Sequence, residues 1–328
     1  MSNLLITGGA GFIGSHFVDL CVATNSSKIT KIIVLDSLNY SGRLQNLQGH
    51  ISSSAIRFVR GNITDRHLLE KLVEEERIDS IINFAAESHV DRSIQSGIPF
   101  VQSNILGVAV LLEAFKTYCS GVFLQISTDE VYGSINSGSW DEEEPLKPNS
   151  PYAASKASAD LLVLAYQKTF GIDARITRCS NNYGPRQFPE KLIPLFVTNI
   201  ILGKKVPLYG DGQNVREWIH VLDHCRAILS VYKDGKCGEV YNVGSGVEVS
   251  NLELTRMILE NMNIAEDQIE YVEDRKGHDL RYSLDSTKFS REFASNEFQS
   301  LEDGLRRTID WYVENQSWWR EVSNKGNL

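Results

Sequence analysis

The chain has 328 residues, a length typical of two domains or of one large α/β unit with an extension. Hydrophobic residues make up 42% of the sequence and charged residues 23%, which argues against a disordered or fibrous protein. With 33 basic and 42 acidic residues the formal net charge is -9, a balance unfavourable for broad binding to nucleic acids or membranes.

The five cysteines are scattered and nowhere spaced as C-x-x-C. We therefore expect free thiols in a reducing compartment, and hence a cytoplasmic protein. The first residues carry no basic region before their short apolar run, unlike a signal peptide. No stretch approaches the roughly 18 uninterrupted apolar residues of a membrane span.

Short, nearly continuous apolar runs alternate with amphipathic patterns along the first 180 residues. The runs predict strands buried on both faces at Asn3–Thr7, Lys31–Asp36, Ile56–Arg60, Ser80–Phe84, Val122–Ser127 and Ala174–Arg178. The patterns between them predict helices at Gly11–Thr24, Asp65–Glu76, Asp91–Tyr118 and Pro151–Phe170. This alternation predicts an α/β fold with a Rossmann-type, doubly wound parallel sheet.

After Asn181 the alternation breaks. Four prolines between residues 185 and 207 mark an irregular region, followed by a candidate return strand at Glu239–Asn242. A last helix is indicated by apolar residues at helical spacing, Leu301, Leu305, Ile309 and Tyr312. We predict a first domain of residues 1–180 with a return segment near 215–245, and a smaller mixed α/β domain of residues 181–214 and 246–328.

The first predicted strand leads directly into a glycine loop, Gly8-x-x-Gly11-x-x-Gly14. Glycines allow a tight turn and a close approach of the backbone to a pyrophosphate, whose charge then lies at a helix N-terminus. Asp36 ends the second strand, 22 residues after Gly14. A carboxylate there accepts hydrogen bonds from an adenosine ribose and repels a 2′-phosphate, so the sequence predicts NAD rather than NADP.

Tyr152 and Lys156 are four residues apart, on one face of a predicted helix that Asn149 or Ser150 caps and Pro151 begins. A phenol with a pKa of about 10 is a poor base at neutral pH. A nearby ammonium group and the positive charge of NAD would stabilise the phenolate and lower that pKa.

The same Y-x-x-x-K spacing recurs at Tyr232 and Lys236, where the residues between them read as a turn, so we exclude this pair. Position distinguishes the first pair, because Tyr152 follows the fifth predicted strand. Ser127 and Thr128 close that strand with hydroxyls that can orient a substrate alcohol.

These features resemble the extended short-chain dehydrogenase/reductases over essentially the whole chain. More narrowly, four segments resemble the dTDP-glucose 4,6-dehydratase family: Ala85–Ser93, Ser127–Gly133, Arg178–Pro185 and Asp274–Asp279. Nucleotide-sugar 4-epimerases, the nearest relatives of that family, usually lack an Asp-Glu pair in the second of these segments.

The resemblance implies a hydro-lyase that consumes no net NAD and converts dTDP-glucose to a 4-keto-6-deoxy sugar. Tyr152 would take the proton of the carbon 4 hydroxyl, held by Thr128, while hydride passes to NAD. Lys156 would hold the nicotinamide ribose and tune the tyrosine. Glu130 would then remove the carbon 5 proton, Asp129 would protonate the departing carbon 6 hydroxyl, and hydride would return to carbon 6.

Two adjacent carboxylates suit this chemistry, because one must start ionised as a base and the other protonated as an acid. Their environments must therefore push the two pKa values apart. The alternative is that Asp129 and Glu130 form a solvated turn or a helix cap. We interpret the Glu142–Glu144 run as a solvated segment of this kind.

The resemblance also implies binding residues. Cofactor contacts are expected from Gly8, Gly11, Phe12, Ile13, Gly14, Asp36, Ser37, Leu38, Asn39, Asn62, Ile63, Phe84, Ala85, Ala86, Ser88, Ser103, Tyr152, Lys156 and Asn182. Substrate contacts are expected from Ser88, Thr128, Asn181, Lys191, Leu192, Pro207, Tyr209, Arg216, Asn251, Asp274, Arg275 and His278. Guanidinium forks match diphosphate oxygens, although Arg216 or Arg275 could instead form a structural ion pair. Asn62 stands where the family more often has Asp. We expect this difference to bear on the affinity for the cofactor rather than on its identity.

His220 and His224, with Asp223 and Cys225 beside them, raise a metal hypothesis. We expect no metal, because Glu217–Val221 reads as a strand and Asp223 as the cap of the next helix. The two imidazoles then share no helical face, and no third ligand is apparent.

Other functions remain open. A 4-epimerase needs Tyr152 and Lys156 but not the acidic pair, and an NAD-bound sensor would retain a vestigial site. The thymidine base follows from the resemblance alone, so a UDP-sugar 4,6-dehydratase is a further alternative. The resemblance suggests a homodimer through the predicted helices Asp91–Tyr118 and Pro151–Phe170, whose faces could instead pack internally.

Overall fold

The computed structural model describes residues 2–24, 29–274, 277–293 and 298–323. The first part alternates strands and helices in the order β1 (Ser2–Thr7), α1 (Phe12–Thr24), β2 (Ile29–Asp36), α2 (Gln48–Ser52), β3 (Arg57–Arg60), α3 (Arg66–Glu75), β4 (Ser80–Asn83), α4 (Val90–Gln95), α5 (Ile98–Phe100), α6 (Gly107–Tyr118), β5 (Val122–Thr128), α7 (Pro151–Phe170) and β6 (Asp173–Cys179). All six predicted strands are present, with ends shifted by at most two residues.

The remainder has shorter strands, in the order β7 (Asn181–Tyr183), α8 (Leu192–Ile201), β8 (Val206–Tyr209), β9 (Val215–His220), α9 (Val221–Asp234), β10 (Val240–Val243), β11 (Glu248–Ser250), α10 (Asn251–Asn261), β12 (Ile269–Val272), α11 (Thr287–Glu292), α12 (Leu301–Glu314) and α13 (Gln316–Ser323). Short 3₁₀ helices lie at Leu44–Leu47, Asp129–Tyr132 and Glu266–Gln268.

A seven-stranded sheet organises the molecule, in the order β10-β6-β5-β4-β1-β2-β3, and every pairing in it is parallel. The predicted doubly wound sheet is therefore confirmed. Strand order reverses between β1 and β4, and in such sheets ligands bind at the carboxyl ends beside this switch point. The glycine loop follows β1 at that edge.

Helices cover both faces of this sheet. One core packs α1 and α9 against it, with Phe17, Val18 and Ile228 fully buried. The other packs α3, α6 and α7, with Leu69 and Phe115 buried. Because both faces are covered, the strands are apolar on both sides, as their sequences indicate.

The chain after residue 181 builds two small sheets and a third core. Strand β9 pairs with β7 and β11, and β8 pairs in parallel with β12. Helices α8, α10 and α12 pack around Trp218 and Tyr312. Within the segment 215–245, α9 packs against the large sheet and β10 is a strand of that sheet, which agrees with the predicted return strand. Strand β9 belongs instead to the small sheet that it forms with β7 and β11.

The predicted helix Asp91–Tyr118 is interrupted. Helix α4 ends at Gln95, and a second helix runs continuously over Ile98–Tyr118 with a π-helical stretch at Val101–Leu106. By length and hydropathy alone this helix could cross a membrane. Its Val108, Leu111 and Phe115 are instead buried in the second core.

Candidate active site

The glycine loop leaves no room for side chains. Gly8 has φ +66°, a conformation that favours glycine, and a Cβ there would lie 2.6 Å from the Ala85 nitrogen. A Cβ on Gly14 would lie 2.3 Å from the Gly8 oxygen. The loop and the N-terminus of α1 thus present bare backbone to a cavity of about 630 Å³, a geometry that fits a dinucleotide pyrophosphate.

Asp36 lies on the wall of this cavity at the end of β2. Its Oδ2 accepts a hydrogen bond from the Ala10 amide at 2.9 Å, and its Oδ1 accepts one from the Leu38 amide at 2.8 Å. Burial raises the pKa of Asp36, and these two amides oppose the rise. The carboxylate is therefore oriented by both adjoining loops, as an adenosine ribose site requires.

Most of the predicted cofactor residues line this first cavity: Gly8, Gly11, Phe12, Ile13, Gly14, Asp36, Ser37, Asn39, Asn62, Ile63, Phe84, Ala85, Ala86, Ser88, Ser103, Tyr152, Lys156 and Asn182. Leu38 is not among the lining residues. It has φ +55°, and its side chain packs against the first core while only its amide contacts Asp36. The lining also includes residues that the sequence did not single out, such as Gln102, Ser180 and Gln187.

The acidic pair follows β5 on the same wall. Thr128 caps the 3₁₀ helix by accepting a hydrogen bond from the Glu130 amide at 3.4 Å, and its hydroxyl donates to Asp129 Oδ1 at 3.0 Å. The Asp129 side chain is buried, and its Oδ2 has no hydrogen-bond partner among the described residues. Glu130 is partly exposed and lines both the first cavity and a second one. The solvated-turn alternative therefore does not fit.

Burial is the main reason why the pKa of Asp129 lies well above its usual range, and the negative charges of Glu130 and Glu217 raise it further. Two adjacent carboxyls thus have different environments, one dry and one partly wet. That difference favours a protonated Asp129, as the acid of the pair must be.

Helix α7 brings Tyr152 and Lys156 to the same cavity as this pair. Ser150 caps the helix by accepting from the Ala153 amide at 3.1 Å, and Pro151 occupies its first turn. Both site side chains are buried, and Lys156 Nζ donates to the Ile126 oxygen at 2.5 Å.

Burial, followed by the charge of Glu130, raises the pKa of Tyr152 well above that of a free phenol, while burial lowers the pKa of Lys156. Among the chain's own residues, the hydrogen bond with Thr128 lowers the pKa of Tyr152, but burial and the nearby carboxylates outweigh it. The lowering predicted from the sequence depends on the positive charge of the cofactor.

A buried polar network that the sequence did not reveal lies behind these residues. Asp160, one helical turn beyond Lys156, pairs with Arg178 at 2.9 Å, and Arg178 donates to the Tyr132 hydroxyl at 2.7 Å. That hydroxyl donates in turn to Asn242 on β10 at 2.9 Å. Asp160 follows Lys156 at the same four-residue spacing that separates Lys156 from Tyr152. That spacing was the signal in the sequence that could have revealed Asp160. The network fixes the active face of α7 to the sheet.

A second cavity, of about 200 Å³, adjoins the first. It is lined by most of the predicted substrate residues: Ser88, Asn181, Lys191, Leu192, Pro207, Tyr209, Arg216, Asn251 and His278. Thr128 lines the first cavity, Asp274 is not a lining residue of either cavity, and Arg275 lies outside the described residues. Trp218, Tyr282 and Glu190 were not predicted, because they lie in short strands and loops without a local pattern.

Buried polar atoms point to a ligand in this cavity. Trp218 Nε1 and Asn251 Oδ1 have no hydrogen-bond partner among the described residues. Arg216 is 4% exposed, and its guanidinium donates to the Asp279 oxygen at 2.8 Å and lies 4.5 Å from the centre of the Tyr282 ring. A preoriented guanidinium beside unsatisfied groups suits a phosphate-bearing ligand.

The structure changes the interpretation of the histidine segment. His220 rather than Asp223 caps α9, because its Nδ1 accepts from the Leu222 amide at 3.3 Å. The helix runs on to Asp234, so Lys233 and Asp234 are helical rather than part of the predicted turn, whereas Lys236 lies beyond the helix. His224 Nδ1 lies 2.9 Å from Asn182 Oδ1, and burial lowers the pKa of both imidazoles to about 3. Within the described ranges, no three His, Cys, Asp or Glu side chains are placed to hold a metal.

Comparisons with known proteins agree on one family. A family model described as GDP-mannose 4,6 dehydratase matches residues 5–308. A dTDP-glucose 4,6-dehydratase of an Actinoplanes species is 52% identical over 320 residues, which are 97% of this chain and 99% of the relative. The dTDP-glucose 4,6-dehydratase of Streptomyces venezuelae, solved with NAD and a second ligand, has a TM-score of 0.94 at 52% identity and covers 98% of this chain and 99% of its own.

Epimerases share the scaffold at lower identity. A UDP-glucose 4-epimerase of Thermotoga maritima, solved with UDP-glucose, has a TM-score of 0.88 at 30% identity, with 96% of this chain and 99% of that chain covered. Fold alone therefore does not separate the two activities, whereas sequence identity does. The chain belongs to the GDP-mannose 4,6-dehydratase family and, within it, to the dTDP-glucose 4,6-dehydratases.

Proposed function

We propose that the chain dehydrates dTDP-glucose to dTDP-4-keto-6-deoxyglucose with NAD as a tightly bound cofactor. The observation that carries this proposal is that Asp129 and Glu130 line the same cavity as Tyr152, Lys156 and the glycine loop. Relatives about half identical over nearly the whole chain act as dTDP-glucose 4,6-dehydratases and support it.

NAD, when bound, accepts hydride from carbon 4 and later returns it to carbon 6. Tyr152 removes the proton from the carbon 4 hydroxyl, and Thr128 orients that hydroxyl. Lys156 holds the nicotinamide ribose with an ammonium that is already fixed by the Ile126 oxygen. Because Thr128, Tyr152 and Lys156 are buried, the charges that develop in these steps are weakly screened.

The 4-ketone makes the carbon 5 proton acidic. Glu130 removes that proton as a base, and Asp129 donates its own proton to the departing carbon 6 hydroxyl. The raised pKa of Asp129 favours its protonated form, which an acid requires, and its unpartnered Oδ2 is available for the substrate. Water leaves. As hydride returns to carbon 6, Glu130 gives its proton back to carbon 5, and the proton that Tyr152 took replaces the one that Asp129 gave, so no net oxidation of the substrate remains.

The 4-epimerase alternative uses Tyr152 and Lys156 but gives Asp129 and Glu130 no task. A buried carboxyl with a raised pKa costs free energy in the folded state, so an unused Asp129 at this position is unfavourable. A UDP-sugar substrate differs from the dTDP-sugar only in its base and ribose, which Pro207 to Tyr209 and Asn251 would face.

Incubation with dTDP-glucose, followed by mass spectrometry of the nucleotide sugar, tests the proposal. We expect the loss of one water and the appearance of a ketone. An unchanged mass with a galacto configuration would identify an epimerase, and turnover of UDP-glucose in preference to dTDP-glucose would assign the other base.

We propose further that residues 1–180 with the segment near 215–245 form the NAD domain, and that residues 181–214 and 246–328 form the sugar-nucleotide domain.

We also propose a homodimer through the Ile98–Tyr118 helix and α7. Exposed apolar side chains on these helices support this assembly, notably Ile98 at 65% and Leu161 at 59% exposure. Light scattering of the protein and of a Leu161→Asp variant tests it, because a dimer should dissociate. The five free thiols support a cytoplasmic location.

A further inference from the structure

A buried carboxylate that the mechanism does not use lies on the wall shared by the two cavities. Glu190 lines both, and its side chain is only 7% exposed. Its Oε1 accepts a hydrogen bond from the Tyr40 hydroxyl at 3.0 Å. Its Oε2 lies 3.3 Å from a guanidinium nitrogen of Arg92 and 3.6 Å from His89 Nε2. We call Tyr40, His89, Arg92 and Glu190 the Glu190 cluster.

The Glu190 cluster joins three chain segments, each of which contributes to a ligand site. Tyr40 follows β2, in the loop that carries the predicted ribose contacts. Arg92 belongs to α4, close behind Ser88, which lines both cavities. Glu190 precedes Lys191, whose Nζ donates to the Ser88 oxygen at 2.9 Å. A ligand in either cavity therefore touches backbone that the cluster holds.

The contacts within the Glu190 cluster are mutually supporting. The Arg92 guanidinium lies 3.8 Å from the centre of the Tyr40 ring, and that ring packs edge-on against Phe188 at 5.3 Å. Burial raises the pKa of Glu190, whereas the charges of Lys191 and Arg92 lower it. Charge-assisted hydrogen bonds in a dry environment are stronger than those at the surface, so loss of the carboxylate should loosen all three segments.

We propose that Glu190 is a positioning residue that couples the two ligand sites, so that a sugar nucleotide in the second cavity slows the release of NAD from the first. The inference rests on the proposed function for the identity of the two ligands. Its physical basis is shared ordering: a ligand that fixes one segment also fixes the other two through Glu190, so the second ligand loses less conformational freedom on binding. Coupling of this kind is reciprocal.

The test measures NAD release from the holoenzyme. The holoenzyme is diluted into an excess of a second dehydrogenase that reduces free NAD, and the release rate is recorded with and without saturating dTDP. We expect dTDP to slow NAD release of the wild-type protein by about tenfold, a typical coupling factor. In Glu190→Gln, which keeps the side-chain shape and removes the charge, that factor should fall towards one. The KM for dTDP-glucose should rise more than kcat falls.

The matched control is Glu76→Gln. Glu76 is another buried carboxylate, 5% exposed and paired with Lys31 and Arg57, but it lines neither cavity. We expect this variant to lose stability in a thermal unfolding measurement and to keep the full dTDP effect. Tyr40→Phe, which removes only one hydroxyl, should partly reduce the slowing of NAD release by dTDP. This variant replaces Glu190→Gln in the test if Glu190→Gln does not fold.

Three results would overturn the inference: no effect of dTDP on wild-type NAD release, a full effect in Glu190→Gln or in its substitute Tyr40→Phe, or an equal loss in Glu76→Gln. The measurement involves no turnover. Failure of the wild-type protein to dehydrate dTDP-glucose would therefore count against the proposed function alone.

Discussion

The two cavities are built in different ways. The first lies at the carboxyl ends of the parallel strands of the large sheet, and its acid, base and ammonium groups stand directly after β5 and on α7. The second is assembled from strands of three to six residues, the N-terminal turns of α4 and α8, and the loops between these elements. Reaction steps need atoms held within fractions of an ångström, which a continuous sheet provides, whereas recognition of a long ligand can be spread over many short segments.

This comparison predicts that substitutions in the first cavity reduce kcat, and that substitutions in the second raise KM.

The largest effect is expected for Tyr152→Phe. Loss of the phenol should reduce kcat by about 10³-fold, because a positioned acid–base group contributes on that order. Product formation is measured by mass spectrometry. Tyr232→Phe, which alters the other Y-x-x-x-K tyrosine, should keep wild-type activity, and NAD content should stay unchanged in both variants.

Glu130→Gln should separate the two halves of the reaction. Without the carbon 5 base, oxidation at carbon 4 proceeds and reduced nicotinamide accumulates, visible by its absorbance, while dehydration slows at least about 10²-fold. Glu143→Gln, in an exposed glutamate nearby, serves as control. Dehydration at the wild-type rate in Glu130→Gln would remove this residue from the mechanism.

Arg216→Lys probes the second cavity. Lysine keeps the charge but lacks the fork that donates to the Asp279 oxygen and lies over the Tyr282 ring. We expect the KM for dTDP-glucose to rise roughly tenfold to a hundredfold, with a smaller change in kcat. Arg281→Lys is the control, since Arg281 pairs with Glu248 and lines neither cavity. A fall in kcat at unchanged KM would contradict the division of labour between the cavities.

The smallest effect is expected for Glu217→Gln and appears only in the pH profile. Glu217 raises the pKa of Asp129, after burial and the charge of Glu130. Asp129 must be protonated to act, so activity is lost as pH rises through its pKa. Removal of the neighbouring negative charge lowers that pKa, and the alkaline limb of kcat should move to lower pH. Glu248→Gln, one strand away on β11, should leave the limb in place.

Sequence reasoning succeeded where the determinants were local. Helix α7 has the bounds that the sequence predicts, because Ser150 caps it, Pro151 begins it, and Gly171 ends it with φ +69°. The strands of the large sheet were recognisable because burial on both faces leaves a continuous apolar run. The glycine loop, the acidic pair and the Tyr–Lys pair were all found, since each is encoded within seven residues.

Sequence reasoning failed where two side chains could fill the same role, or where the residues in contact are distant in the sequence. Asp223 and His220 are both acceptors near the start of α9, and only the geometry shows that His220 caps it. Glu190 and Tyr282 reach the cavities through loops, so no periodicity marks them. The break before Ile98 was missed because only two residues, Ser96 and Gly97, separate the two helices.

The π-helical stretch at Val101–Leu106 gives one helix two different tasks. A π turn holds about one residue more than an α turn, so the side chains beyond it are rotated by roughly 100° from their ordinary α-helical direction. Gln102 and Ser103 can thus face the ligand while Val108 and Leu111 face the interior. Deleting a single residue here would restore ordinary helical winding and turn one of these surfaces away from its neighbour, so chain length at this point is under tighter constraint than residue identity.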